Sequence, residues 1–124
     1  MRKESFLRIK SYAFALKVVK LYQQLLSEKK EYILSKQLLK SGTAPGALIR
    51  ESEYAQSSPD FISKYSIALK EVNEADYWIT LLRDSGYISS ETAEELIAEN
   101  NELLRMLISS INTLKEKIRQ EKIK

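Results

Sequence analysis

Between residues 61 and 82 the apolar side chains recur in alternating steps of four and three without a miss: Phe61, Tyr65, Ala68, Val72, Ala75, Ile79 and Leu82. A strand needs period two; this spacing is one stripe of a helix that packs lengthwise on another helix. Punctuation at both ends agrees. In Ser57-Ser58-Pro59-Asp60, Ser58 suits a cap, Pro59 the first helical position and Asp60 the positive helix end. At Asp84-Ser85-Gly86, Gly86 suits the left-handed residue that ends a helix. Ile62 and Leu69 widen one flank, while Trp78 and Leu81 occupy another, so this helix is expected to have several neighbours.

The rest of the chain supplies those neighbours. A first helix is expected over residues 5–28, with Phe6, Ile9, Ala13, Leu16, Val19, Tyr22 and Leu26 on its main apolar face. Phe14, Val18, Leu21 and Leu25 widen that face, and Lys10, Lys17 and Lys20 are expected toward solvent. The polar run Ser27 to Glu31 reads as a turn. A second helix is expected over residues 32–56, led by Leu34, Leu38 and Leu39. It meets Gly42, Pro45 and Gly46, which would end a helix if taken alone. The helical pattern resumes at Leu48 and Ile49, so one helix kinked near Pro45 is preferred to two short ones. Small residues there would let another helix come close. Ser89 caps a fourth helix over residues 90–121, with a seam of Ala93, Ile97, Asn100, Leu104, Leu107, Ile111, Leu114 and Ile118. Its polar member, Asn100, is of the kind that sets register. The last turn, beyond Ile118, is expected to fray.

The reading is an all-α single domain over residues 1–124: an antiparallel up-down-up-down four-helix bundle, its second helix kinked near Pro45. Three glycines and two prolines in 124 residues leave too few turns for a sheet protein.

Composition also removes chemistry. With neither Cys nor His, there is no disulfide framework and no Ser-His-Asp or Cys-His catalysis. The Glu-x-x-His pairs of di-iron bundles are excluded too. No cofactor and no metal are expected. Gly42 and Gly46 lack the spacing and the Lys-Ser/Thr of a phosphate-binding loop. Lys10 and Lys17 interrupt the N-terminal apolar run, which argues against a secretory signal, and no run of apolar residues would span a membrane. A cytoplasmic protein is expected.

Charge is uneven. Residues 1–57 carry 11 Lys/Arg against 5 Asp/Glu, and residues 58–124 carry 9 against 12. The basic candidates for a polyanion are Arg8, Lys10, Lys17, Lys20, Lys36 and Lys40, with Arg2, Lys3, Lys29 and Lys30 beside them in sequence. The plain alternative is an ordinary solvated helix surface. A second group, Arg50, Glu51, Glu71 and Glu74, reads first as structural pairing between helices or subunits. Its alternative is a cation or acid–base site at Glu71 and Glu74. Tyr77 and Trp78 read as packing or interface anchors, with base stacking as the alternative.

Three blocks of residues then point to a family. They are Lys40-Ser41-Gly42-Thr43 with Gly46-Ala47-x-Ile49-Arg50-Glu51; Asp60-Phe61-Ile62-Ser63-Lys64 through Ser66-Ile67-Ala68-Leu69-Lys70-Glu71 to Glu74-x-x-Tyr77-Trp78; and Leu81-Leu82-x-x-Ser85-Gly86-Tyr87-Ile88. Together they resemble the 23S rRNA intervening-sequence proteins, also called four-helix bundle proteins, over nearly the whole chain. The chain departs from the pattern at Leu48, where the family usually has Asn, and at Pro45, more often a β-branched residue. The resemblance implies a four-helix bundle assembled as a homopentamer, with no established activity for most members. A relative, the accessory variability protein of diversity-generating retroelements, is a basic pentamer that binds nucleic acid and a reverse transcriptase. A non-enzymatic oligomeric scaffold for RNA, DNA or a nucleic-acid-handling protein is therefore expected. The alternative is a protein-binding adaptor with no nucleic-acid contact.

Overall fold

The computed structural model describes residues 3–123, and side chains from Phe6 onward. The described residues form four α-helices: α1 (Lys3–Gln24), α2 (Leu34–Ser52), α3 (Ser58–Asp84) and α4 (Ser90–Ile123). Each packs on the next in sequence, and α1 closes the ring against α4 along the least extensive of the four seams. Contacts run in opposite senses along neighbours. Arg8 meets Glu53 whereas Val18 lies against Gly42, and Lys10 meets Glu102 whereas Lys17 meets Glu95. Asn100 of α4 donates its Nδ2 to the Val72 carbonyl of α3 at 2.8 Å.

The α3 stripe is the middle of the core. Tyr65, Ala68, Val72, Ala75, Ile79 and Leu82 are all buried, and Phe61 is half-buried at the end. Ser57, not Ser58, caps this helix: its Oγ accepts from the Asp60 backbone N–H at 3.2 Å. Ser58 is already in the first turn, and Pro59 stays within that turn, where no backbone donor is needed. Gly86 has φ +85°, and Ser89 Oγ accepts from the Thr92 N–H at 3.1 Å, so both ends of the α3–α4 turn form as their residue types require.

The face of α1 differs from expectation. Its buried stripe is Leu7, Ser11, Phe14, Val18, Leu21 and Leu25. Phe6, Ile9, Ala13, Leu16 and Leu26 are exposed, and Val19 and Tyr22 are half-buried. Both stripes have helical spacing. The inner one is chosen because α2 presents small residues to it: a Cβ on Gly46 would lie 3.5 Å from the Ser11 carbonyl oxygen. In α4 the buried set is likewise shifted to Ala93, Leu96, Asn100, Leu103, Leu107, Ser110 and Ile111. Ile97, Leu104, Leu114 and Ile118 are half-buried on its edge, and the helix continues past Ile118 to Ile123.

α2 runs unbroken through Pro45. Proline withholds the donor that the Ser41 carbonyl would otherwise receive. Nearby hydroxyls bond back into the helix: Ser41 Oγ to the Gln37 carbonyl at 3.1 Å and Thr43 Oγ1 to the Leu39 carbonyl at 2.6 Å. The helix is shorter than expected at both ends, starting at Leu34 and stopping at Ser52. Leu48, the departure from the family pattern, is half-buried against the core. An apolar side chain fits that position as a packing residue.

A candidate nucleic-acid interface at the α1–α2 tip

The connection between α1 and α2 is built from three devices. α1 widens into a π-helical turn over Leu25–Lys29, which the expected turn at Ser27 to Glu31 overlaps. Lys30 then takes a left-handed conformation, φ 57°, and its N–H closes on the Leu25 carbonyl. Glu31, though charged, is buried. Its carboxylate accepts from three backbone donors at the start of α2: Ile33 at 3.1 Å, Leu34 at 3.3 Å and Ser35 at 2.7 Å. Burial alone would raise the Glu31 carboxyl's pKa, but the donated hydrogen bonds outweigh it and hold that pKa below the usual carboxylate range.

This tip gathers cations. Lys29, Lys30, Lys36 and Lys40 are exposed, and Lys20 is exposed on the adjoining part of α1; none makes an ion pair among the described residues. Of the nearby acids, Glu31 is the buried cap, and Glu28 is exposed and accepts a hydrogen bond from Gln24 Nε2 at 3.2 Å. Tyr32 and Ile33 stand out from the tip, 56% and 66% exposed. Beside Lys29 a cleft of about 430 Å³ opens between the π-helical turn and the α3–α4 turn, with Leu21, Leu25 and Ile88 below and Gln24, Ser89 and Thr92 at its walls.

The structure divides the six basic candidates in two. Arg8 bonds Glu53 at 3.0 Å, Lys10 bonds Glu102 at 2.8 Å, and Lys17 bridges Glu95 at 2.8 Å and Glu99 at 2.5 Å. The hydrogen bonds it donates to Glu95 and, next, to Glu99 raise the Lys17 ammonium pKa. Among the described residues Lys20, Lys36 and Lys40 make no ion pair. Arg2 lies outside the described residues, as does the side chain of Lys3.

The second group is not brought together within one chain. Arg50 sits near the end of α2, 5.9 Å over the Tyr12 ring, while Glu71 and Glu74 lie midway along α3. Glu51 and Glu74 are exposed and Glu71 is half-buried. Among the described residues no group of three or more acidic, His or Cys residues is placed to hold a metal. Tyr77 and Trp78 meet edge to face, with ring centroids 5.0 Å apart. Tyr77 is exposed, and Trp78 Nε1 is buried without an acceptor.

Sequence reasoning missed Tyr32 and Ile33. They sit at the join between turn and helix, where helical periodicity assigns no face. The available signal was the run Lys29-Lys30-Glu31-Tyr32, an aromatic next to paired lysines. Among the described residues no helix is long and apolar enough to cross a membrane.

The family model described as 23S rRNA-intervening sequence protein matches residues 5–109. A crystal structure at 1.70 Å of a protein of unknown function from the S23 ribosomal protein family of Bacteroides thetaiotaomicron VPI-5482 is similar throughout, with TM-score 0.88 and 47% identity. The match covers 90% of this chain and 99% of that one. No curated protein matches. With the match running from α1 into α4, the chain belongs to the 23S rRNA-intervening sequence protein family.

Proposed function

We propose that this protein is a non-enzymatic homo-oligomeric scaffold that binds nucleic acid at the α1–α2 tip of each copy. The observation that carries the reading is the sorting of its cations. Lys10 and Lys17 are neutralised by glutamates of α4, while Lys20, Lys29, Lys30, Lys36 and Lys40, toward one end of the bundle, make no ion pair among the described residues. A polyanion gains most from such charges, because binding releases its condensed counterions.

Self-assembly is supported by the outward stripe of α1. Phe6, Ile9 and Leu16, 43%, 54% and 44% exposed, follow helical spacing on a face left open to solvent among the described residues. A second copy is the occupant proposed here, in a ring of five as the family resemblance implies. Repeating a modest basic tip around a ring raises avidity without any new kind of contact.

The test is binding of the purified protein to structured RNA and to duplex DNA across a salt series, with solution mass measured on the same sample. The reading expects an oligomer whose affinity falls steeply with salt, and loss of binding in Lys20→Glu/Lys36→Glu/Lys40→Glu with helix content unchanged. An oligomer that binds neither nucleic acid at low salt would instead be a protein-binding adaptor.

A further inference from the structure

We propose that the tip is a site for unpaired nucleotides, with Tyr32 as a stacking platform for a base and Lys29, Lys30 and Lys36 holding the flanking phosphates. This rests on the nucleic-acid reading above and names the class of nucleic acid.

Exposure alone does not single out Tyr32; its surroundings do. Tyr12 lies under the Arg50 guanidinium and Tyr77 packs edge-on against Trp78, so each ring already has a neighbour. Tyr54 is 85% exposed, yet its sequence neighbours Glu51 and Glu53 are acids that repel phosphate. Among the described residues Tyr32 makes no ring contact, and the lysines two, three and four residues away make no ion pair. Of the two acids near it, Glu31 is turned inward as the cap of α2, and Glu28, four residues back, accepts a hydrogen bond from Gln24 Nε2. That cap also makes the platform firm, because three backbone hydrogen bonds fix the chain immediately after the ring. A flat π-face among cations, on a pinned turn, is the arrangement by which single strands are held. Duplex bases are already stacked and offer no free face to such a ring, so the platform discriminates against duplex.

The experiment compares two probes: a single-stranded RNA of about twelve nucleotides, within the usual site sizes, and the same strand annealed to its complement. The wild-type protein should prefer the single strand. Tyr32→Ala should weaken single-strand binding by about 5- to 150-fold, the range that stacking of one base supplies, and leave duplex binding and helix content unchanged. Tyr32→Phe should keep the preference, and Tyr54→Ala should change nothing. Three results would overturn the proposal. If Tyr32→Ala lowers both affinities equally or neither, the ring is no platform, and lysine-based binding stands without it. If Tyr32→Ala changes the solution mass, the ring belongs to a contact between copies. If the wild-type protein binds neither probe, the nucleic-acid reading falls as well.

Discussion

Gly42 of α2 lies so close to Val18 of α1 that a Cβ built on it would stand 2.9 Å from Val18 Cγ2 and 3.0 Å from Cγ1. The helices meet there because one of them has no side chain. Gly42→Ala should therefore destabilise the bundle by about 1–3 kcal/mol, the usual cost of overpacking. Val18→Ala in the same chain should return part of that loss, since it removes the methyls that clash. Chemical denaturation of the two single variants and the double variant gives the coupling; additive losses would mean that the contact is looser than 2.9 Å implies.

The buried Glu31 carboxylate should make stability depend on acid. Its folded pKa is lowered from the ordinary 4.5, so the unfolded chain takes up the proton first as pH falls. The stability it contributes is present above the unfolded value and is lost as pH drops through the folded value. Glu31→Gln should cost about 1–2 kcal/mol at neutral pH, as for loss of a good helix cap. It should also flatten the decline of melting temperature below pH 5, an order-of-magnitude boundary set by the ordinary carboxylate range. An unchanged acid limb in the variant would assign that decline to other carboxylates.

The glutamates on α4 should restrain polyanion binding. Glu95, Glu99 and Glu102 occupy Lys10 and Lys17 through exposed or half-exposed pairs, which are individually weak and can be displaced. Glu95→Gln/Glu99→Gln/Glu102→Gln should raise nucleic-acid affinity and steepen its salt dependence by about two phosphate contacts. A control with the same charge change, Glu91→Gln/Glu94→Gln/Glu121→Gln, touches no ion pair and should steepen it less. Equal effects from both sets would reduce the result to net charge.

The outward face of α1 should set the oligomeric state. Ile9→Glu/Leu16→Glu places two carboxylates on a stripe that the core does not use. Helix content should hold while the solution mass falls to that of a single chain. A mass that does not change would move the contact between copies to another face.

Much of the fold is legible in the chain itself. The α3 seam could be read residue by residue because its apolar positions follow one heptad, and strong start and stop residues fix its frame. The turn at Gly86 and the cap at Ser89 follow from side-chain chemistry alone. α1 is different. It carries two helical apolar stripes, Leu7–Phe14–Leu21 and Phe6–Ile9–Leu16, and periodicity cannot rank them. The inner stripe even includes a serine, Ser11, which hydropathy counts against it. What ranks them is α2, whose Gly42 and Gly46 give a shallow surface only to the side of α1 bearing Val18 and Ser11.

The basic candidates divide in the same way. Lysine is lysine in a sequence, and charge counting treats Lys17 and Lys20 alike. Only the antiparallel approach of α4 places Glu95 and Glu99 against Lys17 while leaving Lys20 in solvent. Read alone, the order of residues already shows that the chain is helical, where its helices begin and end to within a few residues, and which chemistries its missing Cys and His forbid. These are local properties of spacing and residue type. The tertiary structure decided which stripe is core, which charges are already neutralised and which aromatic stands free, because each depends on the neighbour a residue meets across the bundle.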